Sequence, residues 1–235
     1  MNDFYNALKQ INIELTDDKK NKFDFFYNLL VEENKITNLT RIIEKEDVYN
    51  FHFLDSLYVS KALNLESPCI KLLDVGSGPG FPGLPLKIAF DNIDLEVVEA
   101  TNKKIEFIKK VASSLHLENV VLNHKRAEEF DKLNQYDYVT TRAVTTIYEQ
   151  ISYTIPFLKI DGKLIAMKSR NKVSEELENA KDIMKKVGCT LDTIINYNVK
   201  DREYSLVVIK KIKPTPKGYP KFVKDPNKKK WPLII

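Results

Sequence analysis

From Ile70 onward, short apolar runs alternate with amphipathic stretches, and this alternation admits few architectures. The apolar runs read IKLLDV, IDLEVVE, NVVLNH, YDYVTT, GKLIAMK, LDTIINYNV and EYSLVVIKKI. Between them lie stretches such as KKIEFIKKVASSLH, VTTIYEQISYTI and SEELENAKDIMKKVG, whose apolar residues recur at helical spacing. A strand that returns to its sheet through a helix pairs in parallel with its neighbour, so both faces of the sheet become covered. The prediction is an α/β fold, a mostly parallel sheet with helices on both faces. The last two runs lie close together, which predicts a hairpin at that sheet edge.

The first sixty residues read differently. Thr16 is placed to cap a helix that opens with Asp17 and Asp18, acids suited to the positive end of a helix dipole. Phe23, Phe26, Tyr27 and Leu30 then recur at helical spacing, and a second helix is predicted from about Ile43 to Leu63. Three regions follow: a helical extension over 1–66, the sheet domain over 67–213, and an arm over 214–235 with four prolines before its lysine triplet and no periodicity. Lys210–Ile235 holds nine lysines and one acid, a net +8 in a chain whose total is +4, so the first 209 residues carry −4. A basic arm on a mildly acidic body points to a polyanionic partner, or else to a solvated tail that aids solubility. The start, MNDFYNALKQ, lacks a basic segment leading into an apolar run, and no stretch of eighteen apolar residues occurs. Neither a secretory leader nor a membrane span is therefore expected. Cys69 and Cys189 stand far apart without ligand spacing, so a reducing cytoplasm and no metal are expected.

The chemistry-bearing signals sit where strands end. The run LLDVGSGPGFPGLPL turns after Asp74 and Val75 through Gly76, Gly78 and Gly80, with a helix predicted to start near Pro82 or Gly83. Glycines keep side chains out of the space between backbone and ligand. In a doubly wound sheet, that space is where ligands bind. A dinucleotide loop of the form G-x-G-x-x-G would need its third glycine at position 81, where Phe81 stands. The G-x-G-x-G pattern present instead resembles the first motif of class I (Rossmann-like) methyltransferases, which take S-adenosylmethionine. Glu99 lies 25 residues after Asp74 at the end of the next predicted strand, where a carboxylate can accept from both ribose hydroxyls. After the third strand, small Ala127 lets a backbone N–H approach an adenine ring, and Glu128 can accept from its amine or cap the following helix. Arg142, at the end of the fourth, is placed to hold the methionine carboxylate or an RNA phosphate, or to make a surface ion pair. No Asn/Asp-Pro-Pro-aromatic motif follows it, which disfavours an exocyclic amine as methyl acceptor.

Together, Asn38-Leu39-Thr40, His52-Phe53-Leu54-Asp55-Ser56, the Gly76–Pro85 loop, Arg126-Ala127-Glu128, Thr141-Arg142-Ala143 and the tail Tyr219-Pro220 … Pro226-Asn227-Lys228-Lys229 resemble the glucose-inhibited division protein B family over nearly the whole chain. The resemblance implies an enzyme that methylates N7 of a guanine (guanine 527) in 16S ribosomal RNA, free or in a small-subunit particle. It implies cofactor contacts at Gly76, Phe81, Ala127, Glu128 and Arg142; Gly78 and Glu99 join them from the spacing argument. Glu99-Ala100-Thr101 departs from the family's acid followed by serine, so the ribose contact is expected to be reset. The tail also departs, with Phe222-Val223-Lys224-Asp225 where small and basic residues are usual.

Guanine N7 carries a lone pair and no proton, so in-line attack needs no general base, and positioning supplies the catalysis. No catalytic residue is assigned beyond Arg142 as a positioning candidate. Lys221, Lys228, Lys229 and Lys230 are expected to track phosphates and to leave cofactor binding alone. Tyr219, Phe222 and Trp231 either stack on bases or dock the arm. His52, with Asp55, either positions RNA or locks the helical extension to the sheet domain, and packing is preferred. A monomer is expected. Two alternatives stay open: an RNA-binding or assembly protein without turnover, and a nicotinamide-dependent oxidoreductase, against which Phe81 counts.

Overall fold

The computed structural model describes residues 2–226. Lys228, Lys229 and Lys230, expected above to track phosphates, and Trp231, left between base stacking and docking, lie outside the described residues. Helices α1 (Asn2–Gln10) and α2 (Asp17–Thr37) open the chain. Thr16 caps α2 as expected: its side chain accepts from the Lys19 N–H. The single helix expected over about 43–63 is instead four joined helical segments. They are α3 (Lys45–Val48), a π-helix (Tyr49–Leu54), α4 (Asp55–Leu57) and a 3-10 turn (Tyr58–Ala62). The reason is burial on all sides. Every residue from Val48 to Leu57 is buried, so no single apolar stripe sets the winding and each side chain seeks its own partner.

The sheet follows. Its strands are β1 (Ile70–Val75), β2 (Ile93–Glu99), β3 (Val120–His124), β4 (Tyr136–Arg142), β5 (Leu158–Ser169), β6 (Cys189–Val199) and β7 (Arg202–Lys211). They lie in the order β3-β2-β1-β4-β5-β7-β6, with β1 to β5 parallel and β7 antiparallel to both β5 and β6. The expected parallel sheet and edge hairpin are both present. The connecting helices are α5 (Gly83–Ala89), α6 (Asn102–Ser114), α7 (Ile147–Thr154), α8 (Arg170–Asn179) and α9 (Lys181–Val187).

Strand alternation sorts the core into two layers. Leu72, Val97, Ile165 and Val208 face one cluster, which also contains Phe4, Phe23, Phe26 and Phe53 from the helical extension. Leu73, Val98, Leu164 and Val207 face the other, with Ile147, Ile151 and Ile183. The extension thus shares a continuous core with the sheet. Phe53, fully buried, meets Phe23, Phe26, Tyr49 and Phe81 with ring centroids 5.0–6.1 Å apart. Among the described residues, no helix is long and apolar enough to cross a membrane.

Because β1 connects toward β2 on one side and β4 lies on the other, the strand order reverses between β1 and β4. The loops after their carboxyl ends therefore part and leave a crevice. The shared core carries a consequence for stability: Phe53→Ala is expected to cost about 3–5 kcal/mol and to shift one cooperative urea transition. A separate early transition of the N-terminal helices in circular dichroism would contradict a continuous core.

Candidate functional site

The crevice is shaped by two buried carboxylates. Asp74, fully buried at the end of β1, organises the glycine loop. Its Oδ2 accepts from the Ser77 hydroxyl and, at 2.9 Å, from the Gly83 N–H that opens α5. Its Oδ1 accepts from the Thr140 hydroxyl of β4 at 3.1 Å. One side chain thus ties β1, the loop, α5 and β4 together. Burial pushes its carboxyl up to about 6, against the opposing pull of these donors. Gly83 is needed here, since a Cβ would lie 2.8 Å from Asp74 Oδ2.

Glu99, at the end of β2, is the second. Its Oε2 accepts from the Gly78 N–H at 3.0 Å and its Oε1 from the Thr101 N–H at 2.9 Å. The carboxylate so braces the loop from the side, while each oxygen keeps a second lone pair for a ligand. Gly76 has φ of +71°, a conformation side chains disfavour, and its missing Cβ faces Val144.

These elements wall a cavity of about 510 Å³, within the range of small-molecule sites. Gly76, Glu99, Ala127, Glu128 and Arg142 all line it, together with Ala143, Val144 and Thr145 of the loop after β4. Ala127–Glu129 form a 3-10 turn directly after β3, so the expected small residue and acid meet the cavity from the far side. Tyr153 of α7 and Phe222 of the arm complete the wall, and sequence reasoning assigned neither to it. Tyr153 read only as part of a helix stripe. A second cavity of about 520 Å³ adjoins across the 143–145 loop, sharing Arg142–Thr145 and adding Asp55, Lys168, Lys172 and Tyr204. A larger one, about 750 Å³, lies between α8–α9 and the β6–β7 hairpin and shares no lining residue with either.

Gly78 is not on the cavity wall, its N–H being engaged by Glu99, and Phe81, His52 and the cavity-lining Arg142 spend their side chains on other contacts. Phe81 is buried, stacked between His52 (4.5 Å between centroids) and Phe26 (5.5 Å), so its side chain belongs to the core rather than to the cavity wall. His52 is buried too. Its Nδ1 lies 3.0 Å from Arg142 Nη2 and 3.1 Å from the Phe51 carbonyl, and its Nε2 lies 2.8 Å from Thr40 Oγ1. Burial, followed by the charge of Arg142, pushes the His52 pKa down to about 3, so the ring is neutral. These contacts support the packing role for His52.

Arg142 reaches across to the helical extension. Its Nε lies 3.2 Å from Asp55 Oδ2, and its Nη2 donates to the Phe51 carbonyl at 2.7 Å. Tyr197 of β6 donates to Asp55 Oδ1 at 2.6 Å. Burial holds the Asp55 carboxyl above its ordinary value, with Arg142 and Tyr197 pulling the other way. Arg142 Nη1 makes only a 3.5 Å contact with Ser56 Oγ and so retains donor capacity beside both cavities. Lys221 is exposed on the arm, its ammonium 4.8 Å from the Tyr219 ring centre.

Comparison with known proteins gives concordant results. The GidB family model, described as rRNA small subunit methyltransferase G, matches residues 19–204. Proteins named ribosomal RNA small subunit methyltransferase G are similar from end to end. That of Streptococcus uberis is 41% identical over 232 residues, 96% of this chain and 97% of the relative. That of Streptococcus gordonii is 40% identical over 232 residues, 97% of this chain and 98% of the relative. Among solved structures, a SAM-dependent methyltransferase from Aquifex aeolicus superposes with a TM-score of 0.54 at 14% identity, covering 75% of this chain and 97% of that one. Pyrococcus horikoshii TYW2 in complex with MeSAdo gives 0.57 at 14%, covering 68% and 62%. The fold is the class I methyltransferase type expected from the glycine spacing.

A pH test follows from Asp74. The folded chain keeps a proton near pH 5 that the unfolded chain has released, and this contribution to stability is lost as the pH rises through about 6. Asp74→Asn removes the titrating group and can still accept from Gly83. Its unfolding free energy is expected to fall less than the parent's between pH 5 and 7; equal falls in urea titrations would refute the shift.

Proposed function

The chain belongs to the rRNA small subunit methyltransferase G family, and on that premise we propose that it transfers a methyl group from S-adenosylmethionine to N7 of a guanine, guanine 527, in 16S ribosomal RNA. The observation that carries the cofactor reading is the single cavity lined by Gly76, Glu99 and Ala127–Glu128. Its donor set suits an adenosine joined to an amino acid. The Glu99 lone pairs suit the ribose hydroxyls, the backbone of Ala127 suits the adenine edge, and the space beside Gly76 suits the methionine half. Its volume is adequate for the whole molecule.

When bound, S-adenosylmethionine supplies an electrophilic sulfonium methyl. The chain's own residues then have one task, to hold the acceptor in line. The adjoining cavity has room for a base drawn out of its strand. Extraction is required, because the groove that exposes N7 in duplex RNA is too deep and narrow to enter. Arg142, shared by both cavities and locked by Asp55, is the positioning residue between donor and acceptor. The N7 lone pair forms the new bond to carbon as the carbon–sulfur bond breaks. Positive charge passes from sulfur to the purine, and no proton moves. A base near Arg142 is not needed, and His52 is neutral, buried and fully partnered. Lys221 and the lysines 228–230 are proposed to track RNA phosphates, and the chain to act as a monomer in the cytoplasm.

Incubation with 16S RNA, 30S particles and methyl-labelled cofactor tests the reaction. Label is expected at one guanine N7, seen as chain scission after borohydride and aniline treatment; label on an exocyclic amine, or none in any RNA, would defeat the proposal. Single-turnover rates are expected to be flat from pH 7 to 9, above the range in which Asp74 takes up a proton; a rise with slope one would require a general base. Gly76→Val strains a left-handed backbone position and drives a side chain toward Val144. It is expected to abolish calorimetric binding of S-adenosylhomocysteine at a cost to folding of only about 1–3 kcal/mol. Undiminished affinity would remove the loop from the site.

A further inference from the structure

Sequence alone leaves the basic arm to RNA, to solvent, or to docking through its aromatics on the body. The structure gives part of it a definite location. After Lys213 the described residues form no helix or strand, yet residues 219–225 are anchored on α7. The Lys221 N–H donates to the Ser152 carbonyl at 3.4 Å, and the Val223 N–H to the Ser152 hydroxyl oxygen at 3.1 Å. The Asp225 N–H donates to Glu149 Oε1 at 3.3 Å. Tyr219 and Asp225 are buried, while Phe222 between them stays 48% exposed.

This anchoring turns Phe222 into the cavity wall. Its ring centroid lies 6.5 Å from that of Tyr153, with the planes 19° apart. The Ala127–Glu129 turn packs against α7, so Tyr153 and Phe222 line the cavity beside Ala127 and Glu128. The Tyr153 hydroxyl is buried and has no hydrogen-bond partner among the described residues. At this end, then, the cavity presents an apolar ring with an open face, a small-residue turn and a carboxylate. That set suits a purine, which offers a flat apolar face and a polar edge.

We propose that the C-terminal arm builds part of the adenine subsite, with Phe222 packed against the purine of the bound cofactor. The proposal rests on reading the cavity as the S-adenosylmethionine site. It departs from the expectation that the arm leaves cofactor binding alone. By linkage, cofactor binding then holds the arm on α7 by the same factor by which the docked arm strengthens cofactor binding.

Calorimetry on the full chain with S-adenosylhomocysteine tests this. Phe222→Ala is expected to weaken binding about five- to tenfold, roughly the worth of one aromatic stacking contact, and Phe222→Tyr to restore it. The same loss is expected with 5′-methylthioadenosine, which keeps the adenosine half and lacks the amino acid. Phe222 is half exposed, so the variant should fold, which an unchanged circular dichroism melt verifies. Lys224→Ala, an exposed neighbour in the same segment, should bind like the parent. Trypsin cutting at Lys221 and Lys224 should slow with S-adenosylhomocysteine in the parent and not in Phe222→Ala. If the parent binds neither probe, the cofactor reading of the cavity falls and this proposal with it. If the parent binds and Phe222→Ala binds within twofold of it, or Lys224→Ala loses as much, only the role of Phe222 is overturned.

Discussion

The pairing of Arg142 with Asp55 is the contact on which the crevice depends. Both groups are largely withdrawn from water, and taking two charges out of water costs several kcal/mol each unless the geometry compensates. Here it does: Tyr197 occupies the other oxygen of Asp55, and the Phe51 carbonyl and His52 Nδ1 occupy Arg142 Nη2. The pair joins three parts distant in sequence, namely the helical extension, the end of β4 and strand β6. His52 passes the constraint on to the glycine loop by stacking on Phe81. A wall shared by two cavities is thereby held from behind, and Arg142 is preorganised before any ligand arrives.

Asp74 plays the complementary part within the sheet domain. A carboxylate at the end of a wholly buried strand is expensive, and its three donors come from the loop, α5 and β4. The loop's shape is therefore set by hydrogen bonds to one side chain, with Glu99 supporting it from β2. Glu99 serves both the protein and, as proposed, the ribose, because a carboxylate has more acceptor sites than two amides consume. A side chain of glutamate's length reaches back to the Gly78 N–H while also facing the cavity.

The reaction proposed here, at guanine N7, asks for geometry and not for proton transfer. The site answers in those terms: rigid carboxylates, a locked guanidinium and a neutral histidine used for packing. The arm extends the same logic, since seven residues without regular structure gain a fixed position by donating backbone N–H groups to α7. An element chosen for its charge can then also contribute an apolar wall.

Much of this was legible in the sequence because it is local. Period-two and period-3.6 patterns announced the strands and helices, Thr16 announced its cap, and the G-x-G-x-G spacing with Glu99 25 residues after Asp74 announced a ligand-binding turn. Locking of the helical extension was one of the two roles the HFLDS segment offered for His52 and Asp55; the two meet through Arg142. What no pattern carried were contacts between segments far apart in the chain. Tyr197 is 142 positions from Asp55, and Phe222 sits about seventy from Tyr153. The π-helix at Tyr49–Leu54 was hidden for the same reason, since its winding answers to partners on every side. Local periodicity determined the layers of this protein and the strand ends at which chemistry would gather. Only the tertiary structure decided which way Phe81, Arg142 and Phe222 would face, because a side chain's direction is set by its neighbours in space, and those come from everywhere along the chain.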